Sequence, residues 1–169
     1  PLIEAVNKEN EAMIKLLIKN KVNIDGKGAF GKTPLMSAID SQSIDIAKLL
    51  IENGANINMK DSSDDSGISI LIMAIMDGKK EMVELLIEKG VDINNDCGGG
   101  RALDYAIDHN NGEIINLLLR NGAEGDFGKT ALIYAVQRNN FELVQFLVDK
   151  GENVNAVESL YGASPLTYA

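Results

Sequence analysis

Eight residues near the start of the chain, Gly26-Lys27-Gly28-Ala29-Phe30-Gly31-Lys32-Thr33, satisfy the pattern G-x-x-x-x-G-K-[ST]. In a loop of that kind the backbone N–H groups cradle phosphates, the lysine reaches the terminal ones and the hydroxyl meets Mg²⁺. A second stretch, Ile68 to Asp77, is apolar and then acidic, as a Mg²⁺-holding strand would be. Together they spell a nucleotide site. That chemistry needs a buried parallel strand ahead of the loop, and Val22-Asn23-Ile24-Asp25 is too short and too polar to supply it. The ending also recurs in Gly128-Lys129-Thr130, with Ala123 where the first glycine should stand. A phosphate loop therefore remains the lesser reading of Gly26 to Thr33.

Other constellations carry less. The acidic loop with Asp61, Asp64 and Asp65 lacks the spacing and the closing Glu of a calcium loop, so it reads as solvated. Gly98-Gly99-Gly100 ahead of Arg101 invites an anion, but three glycines are first of all turn material. His109 and Cys97 are the only residues of their types. They lack the third, orienting group that nucleophilic catalysis requires, and one His with one Cys is thin for a metal. The expectation is no catalytic residue, no cofactor and no metal, hence no enzyme.

The totals agree with a binding role. The chain has 169 residues, 45% hydrophobic and 24% charged, which suits an ordered globular protein with one sizeable core. A net charge of −9 argues against a nucleic-acid surface, which needs clustered Lys and Arg. No apolar run approaches a membrane span. A single cysteine rules out an internal disulfide, so the cytoplasm or another reducing compartment is expected. The opening Pro1-Leu2-Ile3 has neither an initiator Met nor a signal-peptide pattern, which reads as a fragment of a longer parent.

A period runs through the whole chain. An alanine follows a leucine by three residues at Leu2/Ala5, Leu35/Ala38, Leu71/Ala74, Leu103/Ala106, Leu132/Ala135 and Leu166/Ala169. The alanines recur at intervals of 29 (Ala106 to Ala135) to 36 residues (Ala38 to Ala74). Gly31, Gly67, Gly99, Gly128 and Gly162 stand ahead of the later alanines at one spacing. Leu17, Leu50, Leu86, Leu118 and Leu147 follow at another, and then Gly54, Gly90, Gly122 and Gly151, with Lys21 in the first copy. Units of this length, repeated in phase, are the mark of a solenoid.

Within a unit the local physics is readable. Thr33 can cap a helix and Pro34 suits its first position. Leu35, Ala38 and Ile39 share a face at helical spacing. After a turn at Ser41-Gln42-Ser43, a second helix from Ile44 to about Asn53 stacks Ile46, Leu49 and Leu50, and Gly54 ends it. Both helices read as short and amphipathic, too short to persist alone in water. Asn58, Asn94 and Asn155 close the following turns, where an Asn side chain ties down local backbone.

GKTPLMSA with LLIENGANIN, and its variants GISILIMA with LLIEKGVDIN, GGRALDYA with LLLRNGAEGD and GKTALIYA with FLVDKGENVN, resemble the ankyrin repeat. The resemblance spans essentially the whole chain. It implies an all-α solenoid of stacked helix–turn–helix units with hairpin-like loops, one domain over 1–169. Repeats fall at about 1–30, 31–66, 67–98, 99–127, 128–161 and 162–169, the first and last truncated. The histidine common in such repeats is Met36, Ile72, Asp104, Ile133 and Thr167 here, so its hydrogen bonds at the helix start must be lost or replaced. Neither end carries a polar capping repeat, so more repeats are expected on both sides.

The resemblance further implies a non-enzymatic protein–protein interaction scaffold, a monomer that binds a protein or peptide through a concave face of loop tips and first helices. Projected onto this chain, that face takes Lys32, Asp40 and Ser41, then Ile68, Met76 and Asp77. Asp108 and His109 follow, then Phe127, Lys129, Gln137 and Arg138. Ile68, Met76 and Phe127 are its apolar anchors, though Ile68 and Met76 suit packing between repeats equally well. In related repeats the position of Asn58, Asn94 and Asn155 can be hydroxylated. The readings left open beside the scaffold are the nucleotide loop and a mere spacer within a larger enzyme or effector.

Overall fold

The computed structural model describes residues 1–60, 67–96, 100–109, 111–124, 132, 135–137, 139–149, 151, 153 and 154. Its helices include α1 (Leu2–Asn7), α2 (Glu11–Lys19), α3 (Pro34–Asp40), α4 (Ile44–Glu52), α5 (Ile70–Met76), α6 (Lys80–Glu88), α7 (Ala102–Asp108), α8 (Gly112–Arg120) and α9 (Phe141–Asp149). A 3₁₀ turn at Ala29–Gly31 precedes α3. Among the described residues there is no β-sheet, only an antiparallel bridge between Lys60 and Ser69.

Two of the first helices, α3 and α5, start where a hydroxyl takes an unpaired N–H group. Thr33 Oγ1 accepts from the Met36 N–H at 3.3 Å, and Ser69 Oγ from the Ile72 N–H at 3.3 Å. Two residues standing where the histidine is missing act as substitutes. Met36 Sδ accepts from the Thr33 N–H at 3.5 Å, and Asp104 Oδ2 from the Arg101 N–H at 2.8 Å. Three of the second helices, α2, α8 and α9, use Asn: Asn10, Asn111 and Asn140 accept from the N–H groups of Met13, Ile114 and Leu143 at 3.0, 3.2 and 3.1 Å.

The second helices end on a left-handed residue: Gly54 and Gly90 at φ 93° and 83°, and Lys21 at φ 58° in the first copy. A Cβ added at Gly54 or Gly90 would meet nothing within 4 Å, so glycine is needed there for its backbone freedom and not for space. Lys21 bears the strain its counterparts avoid. Lys21→Gly should therefore raise stability by about 0.5–1 kcal/mol, read as a higher midpoint of urea unfolding at unchanged m. A lower midpoint would show that the Lys21 stem contributes more packing than strain.

The helices form two rows. In one, α1 packs on α3, α3 on α5 and α5 on α7; in the other, α4 packs on α6 and α6 on α8. Hairpin pairs α1–α2, α3–α4, α5–α6 and α7–α8 join the rows, and one continuous apolar core runs between them. The middle first helices are not amphipathic in the simple sense expected of them. Residues 34–39 of α3 are all buried, as are Ile70, Leu71, Ile72, Ala74 and Ile75 of α5. A first helix is flanked by its two row neighbours as well as by the second-helix row, so three sides are covered rather than one. The second helices keep the expected single buried face, such as Ile46, Ala47 and Leu50 in α4.

Polar contacts between successive units are also periodic. Asp25 Oδ1 accepts from the Asn56 N–H at 3.0 Å, Asn58 Oδ1 from the Asp92 N–H at 2.9 Å, and Asn94 Oδ1 from the Glu124 N–H at 2.7 Å. The turn asparagines thus tie one unit to the next; Asn155 lies outside the described residues. Lys89 pairs with Glu52 at 3.0 Å and holds that exposed carboxyl below its ordinary pKa. Glu113, 3.2 Å from Lys80, raises the pKa of that ammonium.

One clamp between units is buried. Lys79, just ahead of α6, has only 7% of its side chain exposed. Its Nζ donates to the Ile39 and Asp40 carbonyls at the end of α3, at 2.8 and 3.1 Å, and pairs with Asp77 at 2.7 Å. A cation at the last carbonyls of a helix meets the negative end of its dipole. Nothing in the sequence singled out Lys79.

Candidate functional site

The Gly26–Thr33 segment shows what Gly-Lys-Thr does in this chain. Residues 22 and 23 form no strand, and the Gly28 N–H is bonded to the Lys32 carbonyl at 2.8 Å rather than facing a ligand. The Thr33 side chain is buried as the cap of α3, where it cannot meet a metal. Lys32 lies along α3 with its ammonium on the Asp40 carboxylate. The segment is a loop that starts a helix and lacks the strand–loop–helix setting of a phosphate cradle. The acidic half of the nucleotide reading fails with it, because Ile70–Met76 is helix α5. At the other glycine-rich turn, Arg101 reaches Glu124 at 3.5 Å, which leaves the proposed anion a competitor already in place.

The face of the first helices is where candidate residues gather. Asn7, Asp40, Met76 and Asp108 end α1, α3, α5 and α7, and Gln137 holds the same phase in the next repeat; all but Asn7 were singled out from the sequence. All five are exposed, Met76 at 40%. One residue on, Ser41 donates its hydroxyl to the Ser37 and Ala38 carbonyls at 3.0 and 3.3 Å, a local role that occupies the donor. Asp77 is drawn to Lys79, and the His109 ring meets the Tyr105 carbonyl through Nδ1 at 2.9 Å. Ile68 is half-buried. Phe127, Lys129 and Arg138 lie outside the described residues, as do Cys97 and the Asp61–Asp65 loop.

Sequence reasoning passed over Phe30. It sits on the 3₁₀ turn with φ 60° and is 83% exposed, the most exposed large apolar side chain described. Its phase was visible, since Phe30 precedes Gly31-Lys32-Thr33 as Phe127 precedes Gly128-Lys129-Thr130. Phe30 lines a groove of about 550 Å³ between α1 and α3, together with Ile3, Asn7, Lys32, Ser37, Asp40 and Ser41. The groove is open, partly apolar, and neutral along its middle where Lys32 and Asp40 pair. No trio of His, Cys, Asp or Glu among the described residues is placed to hold a metal ion. No described helix is long and apolar enough to cross a membrane.

The comparisons with known proteins point one way. No curated protein sequence matches the chain significantly. Among solved structures, an ankyrin repeat domain from Acinetobacter baumannii AYE is 28% identical with a TM-score of 0.80, over 100% of this chain and 89% of that one. The ankyrin repeat domain of Bcl-3, a member of the IkappaB protein family, is 27% identical with a TM-score of 0.77, over 100% of this chain and 78% of that one. The profile of the ankyrin repeats matches residues 1–61, 60–127 and 121–169. With paired short helices in two rows, left-handed glycine stops and a turn ladder of Asn and Asp between units, the chain belongs to the ankyrin repeat family.

Proposed function

We propose that this chain is a non-enzymatic protein–protein interaction module that binds its partner on the face of the first helices. Ankyrin repeats are in general interaction modules, and solenoids of this type present extended binding surfaces. The observation that carries the reading is Phe30, an aromatic side chain left 83% exposed at a loop tip beside a groove. Exposed aromatic and Met side chains are enriched at interface cores, and Met76 extends the same face two units along. Asp108 and Gln137 continue it with polar groups suited to a rim.

The test uses partner proteins retained on the immobilised chain. Phe30→Ala and Met76→Ala should each weaken retention, Phe30→Ala by about thirtyfold if it is an anchor. Asp108→Lys should slow association and alter its salt dependence, as rim charges do. Glu88→Lys, on a second helix, serves as the control and should change nothing. Retention indifferent to all three face variants would remove this reading. Saturable ATP binding lost in Lys32→Ala would restore the nucleotide one.

A further inference from the structure

The groove between α1 and α3 changes chemistry along its length, and that change defines a ligand class. At the loop-tip end it offers Phe30 and Ile3. Its far end is closed by Ser41, which is also a wall of a second hollow of about 440 Å³. The second hollow is walled by three carboxylates, Glu9, Glu11 and Asp45, and by no basic side chain. Glu11 is answered by Lys15 on its own helix. Glu9 takes a neutral donor, the Ser43 hydroxyl at 2.6 Å, so its charge is not cancelled there, and Asp45 is exposed.

From this we infer that the face takes an extended peptide with two anchors: an apolar side chain against Phe30 and Ile3, and a lysine or arginine directed to Glu9 and Asp45. The inference rests on the first-helix reading and names the ligand of that same surface. Helix α3 separates the two anchors, and its seven residues measure about 10 Å. An extended chain advances about 3.3 Å per residue, so the anchors fall about three residues apart. Charge complementarity selects the second anchor: a basic group meets two carboxylates on a chain of net charge −9, whereas an acidic one is repelled. The paired Lys32 and Asp40 between the anchors leave the middle of the peptide without a charge requirement.

The experiment uses fluorescein-labelled synthetic peptides of Ala and Ser that carry one Leu and one Arg at increasing separations. Binding to the whole chain is read by anisotropy and by amide shifts in a ¹⁵N-labelled sample. The inference expects saturable binding that peaks near a three-residue separation and shifts the Ile3, Ser41 and Asp45 amides. Replacing the peptide Arg by Glu should weaken it about tenfold or more. The double variant Glu9→Gln, Asp45→Asn should weaken the Arg peptide to the same degree. Glu9→Gln keeps an acceptor for Ser43, and a matched thermal melt shows that the double variant is folded. Phe30→Ala should weaken Arg and Glu peptides alike.

Equal affinity for Arg and Glu peptides, no binding at any separation, or self-association of the chain through the groove each overturns the inference. Should any of these occur while Phe30→Ala still weakens partner retention, the ligand class fails and the first-helix reading stands. If neither measurement responds, both fall.

Discussion

Leu86→Ala should lower the free energy of unfolding by about 3–4 kcal/mol, within the range for emptying a buried leucine site. Leu86 lies in the last turn of α6, is fully buried, and belongs to the core between the helix rows. Its counterparts Leu50, Leu118 and Leu147 are buried as well, at 0%, 0% and 3% exposure, whereas Leu17 in the first copy is only partly so. Leu17→Ala should therefore cost clearly less, under about half as much. The contrast follows from burial: the Leu86 site is fully enclosed and the Leu17 site is not, so less apolar area is exposed when Leu17 is truncated. Urea titrations of the two variants provide the check. Equal losses would mean that the burial gradient along the stack does not set stability.

Lys79→Met is the second large effect, a loss of about 2 kcal/mol felt mainly in the preceding unit. The methionine keeps most of the volume but removes a charged donor from two helix-end carbonyls, and such bonds contribute about 1.5–3 kcal/mol. Ile39 O retains a bond from the Gln42 N–H, which holds the estimate toward the lower part of that range. The ion pair with Asp77 adds less, because that carboxylate is 50% exposed and screened by solvent. Asp77→Asn should accordingly cost under about 1 kcal/mol. Hydrogen exchange should quicken at the end of α3, distant in sequence from the substitution, with little dependence on salt. If Lys79→Met costs no more than Asp77→Asn, the carbonyl clamp contributes nothing and the ion pair is the whole effect.

This clamp also marks where reading the chain alone fell short. A lysine in a helix–turn–helix turn reads as solvated, and four of the five second helices begin after a small polar residue, Asn10, Ser43, Asn111 or Asn140. Only the stacking of one helix pair on the next brings the end of α3 to the start of α6 and buries the ammonium between them. The partner candidates divide in the same manner. Phase alone placed Asp40, Met76, Asp108 and Gln137 in one column, because a repeat returns each position to the same side of the stack. It could not tell that Asp77 is engaged by Lys79, that the Ser41 hydroxyl is consumed locally, or that Lys32 is held by Asp40.

The sequence by itself determined the family, the helix pairs, their caps and their stops. Those depend on contacts a few residues apart, and the repeat states each of them several times. The Gly-Lys-Thr string was legible for the same reason, since its second occurrence in phase identifies it as a helix start. The tertiary structure alone decided which side chains the stacking covers and which it leaves outside. It buried Lys79 against the end of α3 and left Phe30 exposed above a groove. Burial and charge pairing across units depend on neighbours more than thirty residues away, and a local pattern does not carry that information.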